Sequence, residues 1–117
     1  METLSKSFQV SDIQETIVAE FEPAYNLSRF ASCNGQIVFS SKKVYVMANY
    51  MAGMVDAIGA MVTAPKCFAY DEIASYNKTG LAGYKITLKD GTEFNFSNVF
   101  GKMRKGITAA IEEGLAG

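Results

Sequence analysis

The stretch Tyr84-Lys-Ile-Thr-Leu-Lys-Asp-Gly-Thr-Glu-Phe-Asn-Phe-Ser97 decides the fold of this chain. Two runs of alternating residues flank Asp90-Gly91, a two-residue pair whose glycine supplies the positive φ that tight hairpin turns require. Tyr84, Ile86 and Leu88 share one face, and Phe94 and Phe96 oppose them across the turn. Lys85, Thr87 and Lys89 then face water, the in-out pattern of an antiparallel sheet with one buried side.

Downstream of this hairpin, Phe100, Met103, Ile107, Ile111 and Leu115 recur at steps of three and four, one helical stripe over 99–115. Ser97 or Asn98 is placed to cap it. Gly101, Gly106 and Gly114 each weaken such a helix by ~1 kcal/mol relative to alanine, so packing has to hold it. Upstream, Gly80-Leu-Ala-Gly83 reads as a loop, Cys67–Tyr70 as a strand, and Asp71-Glu-Ile73 as a bend into a strand over Ala74–Asn77. Further back, Asn34-Gly35 is the strongest two-residue hairpin signal in the chain, with Tyr25–Cys33 leading in and Gln36–Ser40 leading out. Ser41-Lys42-Lys43 predicts a second turn and Val44–Ala48 a further strand, which makes a meander.

The N-terminal part admits two readings. Ser11-Asp-Ile-Gln14 has capping-box form, and Ile13, Ile17 and Phe21 follow at i+4 spacing before Pro23, which predicts a short helix over 11–21. Ile17, Ala19 and Phe21 also alternate with Val18, Glu20 and Glu22, which suits a strand over Thr16–Glu22. Length and cap favour the helix. Residues 1–10 are expected to be a tail and 11–117 a single domain of mainly β, α+β class.

The 117 residues suffice for one packed domain, since 49% are hydrophobic and 20% charged. A net charge of −1 offers no basic excess for neutralising phosphates, so general nucleic-acid binding is not expected. The N-terminal ten residues lack the basic start and apolar core of a signal peptide, and no run approaches the ~20 apolar residues that span a bilayer. The chain is accordingly expected in the cytosol, with Cys33 and Cys67 as reduced, buried small residues.

Catalysis is not expected. The chain has no histidine, which removes the usual general base and the commonest metal ligand. It carries no phosphate-binding glycine loop and no Cys-x-x-Cys pair. Asp71-Glu72, Asp90 with Glu93, and Glu112-Glu113 read as turn and surface carboxylates. No catalytic residue, metal site or cofactor is assigned.

The segment Tyr50–Ala64 does not have the composition of a loop. It holds one charge, Asp56, and three of the six methionines. On a helix, Met51, Met54, Val55, Ile58, Met61 and Val62 fall on one side. Three roles compete: part of the chain's own core, a surface for self-association or for another protein, or shallow insertion into a membrane. Methionine suits an adaptable contact surface. A homo-oligomer or a protein partner is expected first. An anionic lipid surface comes second, with Lys42 and Lys43 on their turn as candidate headgroup contacts. Lys102, Arg104 and Lys105 stand at the helix start, where the dipole disfavours cations.

Two stretches resemble a known family. Gly35-Gln-Ile-Val-Phe-Ser-Ser-Lys-Lys-Val-Tyr-Val46 is similar to the Gly-x-Leu-x-Leu-Thr-x-Lys/Arg-Arg-Leu hairpin of GRAM and bacterial pleckstrin-homology (PH)-like domains. Phe68-Ala-Tyr-Asp-Glu-Ile73 resembles the strand that follows it there. Ser40-Ser41 stands where that family usually has threonine, and Lys43-Val44 where Arg-Leu is commoner. The resemblance covers about residues 25–115. It implies a strongly bent antiparallel sheet, or partly open barrel, closed by a C-terminal helix. It also implies a module that binds lipids, peptides or proteins.

Overall fold

The computed structural model describes residues 1–28, 31–49 and 64–117. The Tyr84–Ser97 hairpin forms as its alternation dictates. Strands β8 (Gly83–Leu88) and β9 (Glu93–Ser97) pair antiparallel with Tyr84 opposite Phe96 and Ile86 opposite Phe94. All four side chains are buried, as is Leu88. Gly91 turns the chain at φ 94°, and the backbone N–H of Thr92 donates to Asp90 Oδ1 at 2.8 Å.

The remaining strands are β1 (Glu2–Thr3), β2 (Ile17–Phe21), β3 (Ala24–Ser28), β4 (Ala31–Ser40), β5 (Lys43–Asn49), β6 (Lys66–Ala69) and β7 (Ile73–Thr79). They join one antiparallel sheet in the order β1-β6-β5-β4-β3-β9-β8-β7, with β2 beside β4. The sheet curls around a core of Ile37, Phe39, Val44, Val46, Phe68, Ile86, Phe94 and Phe96. Helix α1 (Gly101–Ala116) closes it with Ile107, Ala110 and Ile111 buried. Phe100 and Leu115, at the two ends of the predicted stripe, stand 63% and 44% exposed, so the stripe packs only through its middle. Neither Ser97 nor Asn98 caps the helix. Phe100 is the N-cap and makes no side-chain capping bond.

Two further expectations need correction. Asn34-Gly35 is not a hairpin turn, because β4 runs unbroken through it from Ala31 to Ser40. The interruption lies on the neighbouring side: β2 pairs with Ile37–Ser40 and β3 with Ala31–Asn34, with Glu22 and Pro23 between them. Gly35 sits opposite this break, where a Cβ would lie 2.7 Å from Tyr25 Cβ and 3.1 Å from the Pro23 carbonyl oxygen. The glycine is there for close approach of two backbones rather than for a turn.

The second correction concerns the helix over 11–21. The chain makes one 3-10 turn at Val10–Asp12 and then strand β2. The capping carboxylate belongs to Asp12, which accepts the Gln9 N–H at 2.8 Å. In β2 the alternation prevails over the helical spacing. Ala19 and Phe21 pack on the core, Phe21 edge-on to Phe39, while Val18 and Glu20 face outward. Gly106 of α1 leaves room for the Phe21 ring, whose nearest carbon lies 2.7 Å from where a Cβ would stand.

Residues 1–16 form a strap on the outer face of β4, β5 and β6. Leu4, Phe8, Val10 and Ile13 cover Val38, Tyr45, Met47 and Cys67, each of which is at most 5% exposed. Phe8 stacks on Tyr45 with ring centroids 5.7 Å apart, and β1 extends the sheet beyond β6 with Glu2 opposite Cys67. The middle of the sheet is thus buried on both sides.

Candidate interaction surfaces

Lys42 and Lys43 lie where the sequence puts them, at the turn between β4 and β5. Ser40, buried at 1% exposure, organises that turn: its Oγ accepts the backbone N–H groups of Lys42 at 3.2 Å and Lys43 at 2.9 Å. The lysines do not stand alone. Glu15 reaches the same spot from the strap, its Oε1 accepting the Tyr45 hydroxyl at 2.6 Å and lying 3.0 Å from Ser40 Oγ. Lys43 Nζ is 4.0 Å from Glu2 Oε1. The Tyr45 hydrogen bond holds the Glu15 carboxyl below the ordinary glutamate range, and the nearby Lys43 charge adds to this. Burial, with the same hydrogen bond, pushes the Tyr45 phenol up. The turn is therefore an open groove lined by Gln14, Glu15, Thr16, Ser41, Lys42 and Lys43, with cations and a carboxylate mixed. Sequence alone did not reveal Glu15 as a partner, because the contact spans thirty residues.

Met51, Met54, Val55, Ile58, Met61 and Val62 lie outside the described residues. What the structure fixes is where their segment leaves and rejoins the sheet. Val46 pairs with Lys66 and Lys43 with Ala69, so β5 and β6 are direct neighbours. The segment departs from the Asn49 end of β5, opposite to the Lys42–Lys43 turn.

A second groove, about 290 Å³, runs between β7 and α1. Tyr76, Asn77 and Lys78 line it from β7, and Arg104, Lys105, Thr108, Ala109 and Glu112 from α1. Tyr84 forms its floor, its hydroxyl 2.8 Å from Thr108 Oγ1, and the Tyr76 hydroxyl donates to Glu112 Oε2 at 3.3 Å. A third cavity, about 270 Å³, sits where the C-terminal end of α1 meets Ser40, Ser41 and Tyr70. There the buried Tyr70 hydroxyl donates to the Ser40 carbonyl oxygen at 2.7 Å, and burial raises its pKa to about 12. Cys33 and Cys67 are free, buried thiols, and burial raises both pKa values. Buried thiols of raised pKa are poor nucleophiles. Among the described residues no cluster of three potential metal ligands occurs, and no helix is long and apolar enough to cross a membrane.

The architecture has clear counterparts among solved structures. The chain superposes on the C-terminal domain of an unknown protein from Leishmania infantum with a TM-score of 0.65 and 16% identity, over 86% of this chain and 85% of that one. It superposes equally on the linker-DH/PH domains of p115-RhoGEF, at TM-score 0.65 and 8% identity, over 88% of this chain and 30% of the other. The DH/PH domain of human ARHGEF11, in a ternary complex with human RhoA and its inhibitor, matches at TM-score 0.62 and 7% identity over 86% of this chain and 29% of the other. The chain thus spans about a third of the RhoGEF chains it matches. No family model and no curated protein matches the sequence. At such identities the likeness defines a fold, and that fold is PH-like: a curled antiparallel sheet closed by one C-terminal helix.

Proposed function

We propose that this chain is a non-catalytic interaction module of GRAM-like type, acting in the cytosol. Its domain is 11–117, with residues 1–10 as an added arm. It associates with itself or with another protein through the apolar segment 50–64. One observation carries this reading. Two adjacent antiparallel strands whose ladder runs from Lys43–Ala69 to Val46–Lys66 need a connection of only two to five residues. The chain instead inserts a long excursion with one charge and three methionines. An apolar insertion of this size beyond what the hairpin needs suits a contact surface. The ARHGEF11 DH/PH domain, matched in fold, occurs in a complex with RhoA, which accords with a protein partner in general.

The alternative is a peripheral lipid-binding module that uses the same segment with Lys42 and Lys43. It is less well supported, because the lysines sit at the far end of β5 from the segment and share their groove with Glu15 and Glu2. Light scattering across a concentration series tests the first reading: Met54→Glu and Ile58→Glu are expected to shift an oligomer to monomer. Co-sedimentation with anionic vesicles that disappears in Lys42→Glu/Lys43→Glu, with no change in molar mass, would replace it by the second.

A further inference from the structure

The β7 edge and the helix rim beside it form a second exposed surface among the described residues. Among the described residues β7 pairs with β8 alone, so its outer edge offers unmade backbone hydrogen bonds over Ile73–Thr79. Ala74, Ser75, Asn77 and Lys78 are exposed along it. An open edge of this length is a template for another strand.

The adjoining rim of α1 carries a distinctive charge order. Arg104 and Lys105 stand at one end, Thr108 and Ala109 in the middle and Glu112 at the other end, eight residues from Arg104. No salt bridge among the described residues involves Arg104, Lys105, Lys78 or Glu112. Both ends are placed against the helix dipole, the cations near its N-terminus and the carboxylate near its C-terminus. This arrangement complements itself under a twofold rotation. An antiparallel copy centred on Thr108 sets Arg104 of each chain against Glu112 of the other. The small side chains at the centre let the two rims approach. The open β7 edge flanks this rim across the groove that both of them line.

We propose that β7 and the Arg104–Glu112 rim of α1 are a twofold interface on which a second copy of this chain docks, continuing the sheet from one chain into the next. The occupant follows from the charge order. A uniformly acidic partner would meet Glu112, and a uniformly basic one would meet Lys78, Arg104 and Lys105, whereas the chain's own rim satisfies both ends. This contact is separate from the one proposed through residues 50–64, and either can fail without the other.

The test is a charge swap on the full chain, read by sedimentation equilibrium at low salt. Arg104→Glu and Glu112→Arg each set like charges against one another across the axis, and each is expected to weaken the dimer by about tenfold or more. The double variant restores opposite charges and is expected to return the dissociation constant to within about threefold of wild type. Each substitution moves a charge to the helix end that favours it, which offsets the exposed Tyr76–Glu112 hydrogen bond that Glu112→Arg removes. Circular dichroism of each variant separates loss of folding from loss of the dimer. Amide protection along Ile73–Thr79 should rise with protein concentration in the wild type and not in the single variants. A double variant no tighter than the singles overturns the proposal. So does a monomer at every concentration, an oligomer that responds only to Met54→Glu, or a rim that binds anionic vesicles instead.

Discussion

Gly114→Ala and Gly101→Ala make the same chemical change in one helix and are expected to have opposite effects. At Gly101, in the first turn of α1, a Cβ meets nothing within 4 Å. The substitution should therefore add stability of about 0.5–1 kcal/mol, through helix propensity and a less flexible unfolded chain. At Gly114 a Cβ would stand well inside van der Waals distance of Cε1, Cδ1 and Cζ of the Tyr70 ring. That ring is 7% exposed and tethered by its hydroxyl to the Ser40 carbonyl oxygen at 2.7 Å, so it has no easy way to swing aside. Overpacking costs about 1–3 kcal/mol. Losing the tyrosine hydrogen bond costs about 1 kcal/mol more. Against this the helix gains at most ~1 kcal/mol, which leaves a net loss of about 2 kcal/mol. Urea unfolding measures both variants directly, as shifts in midpoint at constant slope. In a Tyr70→Phe background the tether is already gone, and the Gly114→Ala penalty should shrink. A Gly114→Ala protein as stable as wild type, or one that matches Gly101→Ala, would refute the packing of α1 on Tyr70.

Gly35→Ala should cost about 2 kcal/mol or more in the same assay, because the new methyl meets backbone at Pro23 and the Cβ of Tyr25, neither of which can rotate away. Phe8→Ala removes the stacking partner of Tyr45 and part of the cover over Cys67. Phe8 is only half-buried, so the expected loss is about 1–2 kcal/mol, with faster reaction of the Cys67 thiol towards a disulfide reagent. Glu15 gives a pH dependence of defined sign. Its folded pKa is lowered, chiefly by the Tyr45 hydroxyl, so its contribution is complete above the unfolded value and disappears as pH falls through the folded one. Glu15→Gln should flatten the acid limb of the stability profile below pH ~4.3, and leave the slope from Glu72 and Asp90, whose pKa values are also lowered.

The elements legible in the sequence are those whose signal is local. Asp90-Gly91 with its flanking alternation, and the 103–111 part of the helical stripe, needed only neighbours a few residues away. The Asn34-Gly35 pair misled for a non-local reason. Its glycine is required by a strand that lies ten residues earlier, a clash that no window on the sequence displays. The reading of 11–21 foundered because helix and strand patterns both fit, and the decision came from tertiary contacts of Phe21 with Phe39 and α1. The strap was invisible for a similar reason. Leu4, Phe8, Val10 and Ile13 follow no single period, since they are set by the surface they cover. Of the candidate sites, Lys42 and Lys43 were found at their turn, but Glu15, which changes what that turn can bind, was not. The β7–α1 groove draws on residues thirty apart and carried no motif.

The strap also bears on how the chain behaves when shortened. Val44-Tyr-Val-Met47 is apolar on both faces because each face has its own cover, the core on one side and residues 4–13 on the other. Removing residues 1–13, three beyond the boundary drawn from sequence, would leave Val38, Tyr45 and Met47 facing water, the last two within Val44–Asn49, a β-rich stretch without proline or charge. That is the composition of a segment that stacks with copies of itself into insoluble fibrils. A truncated protein is therefore expected to come out of cells as aggregate, and the full N-terminus to act as a gatekeeper for its solubility.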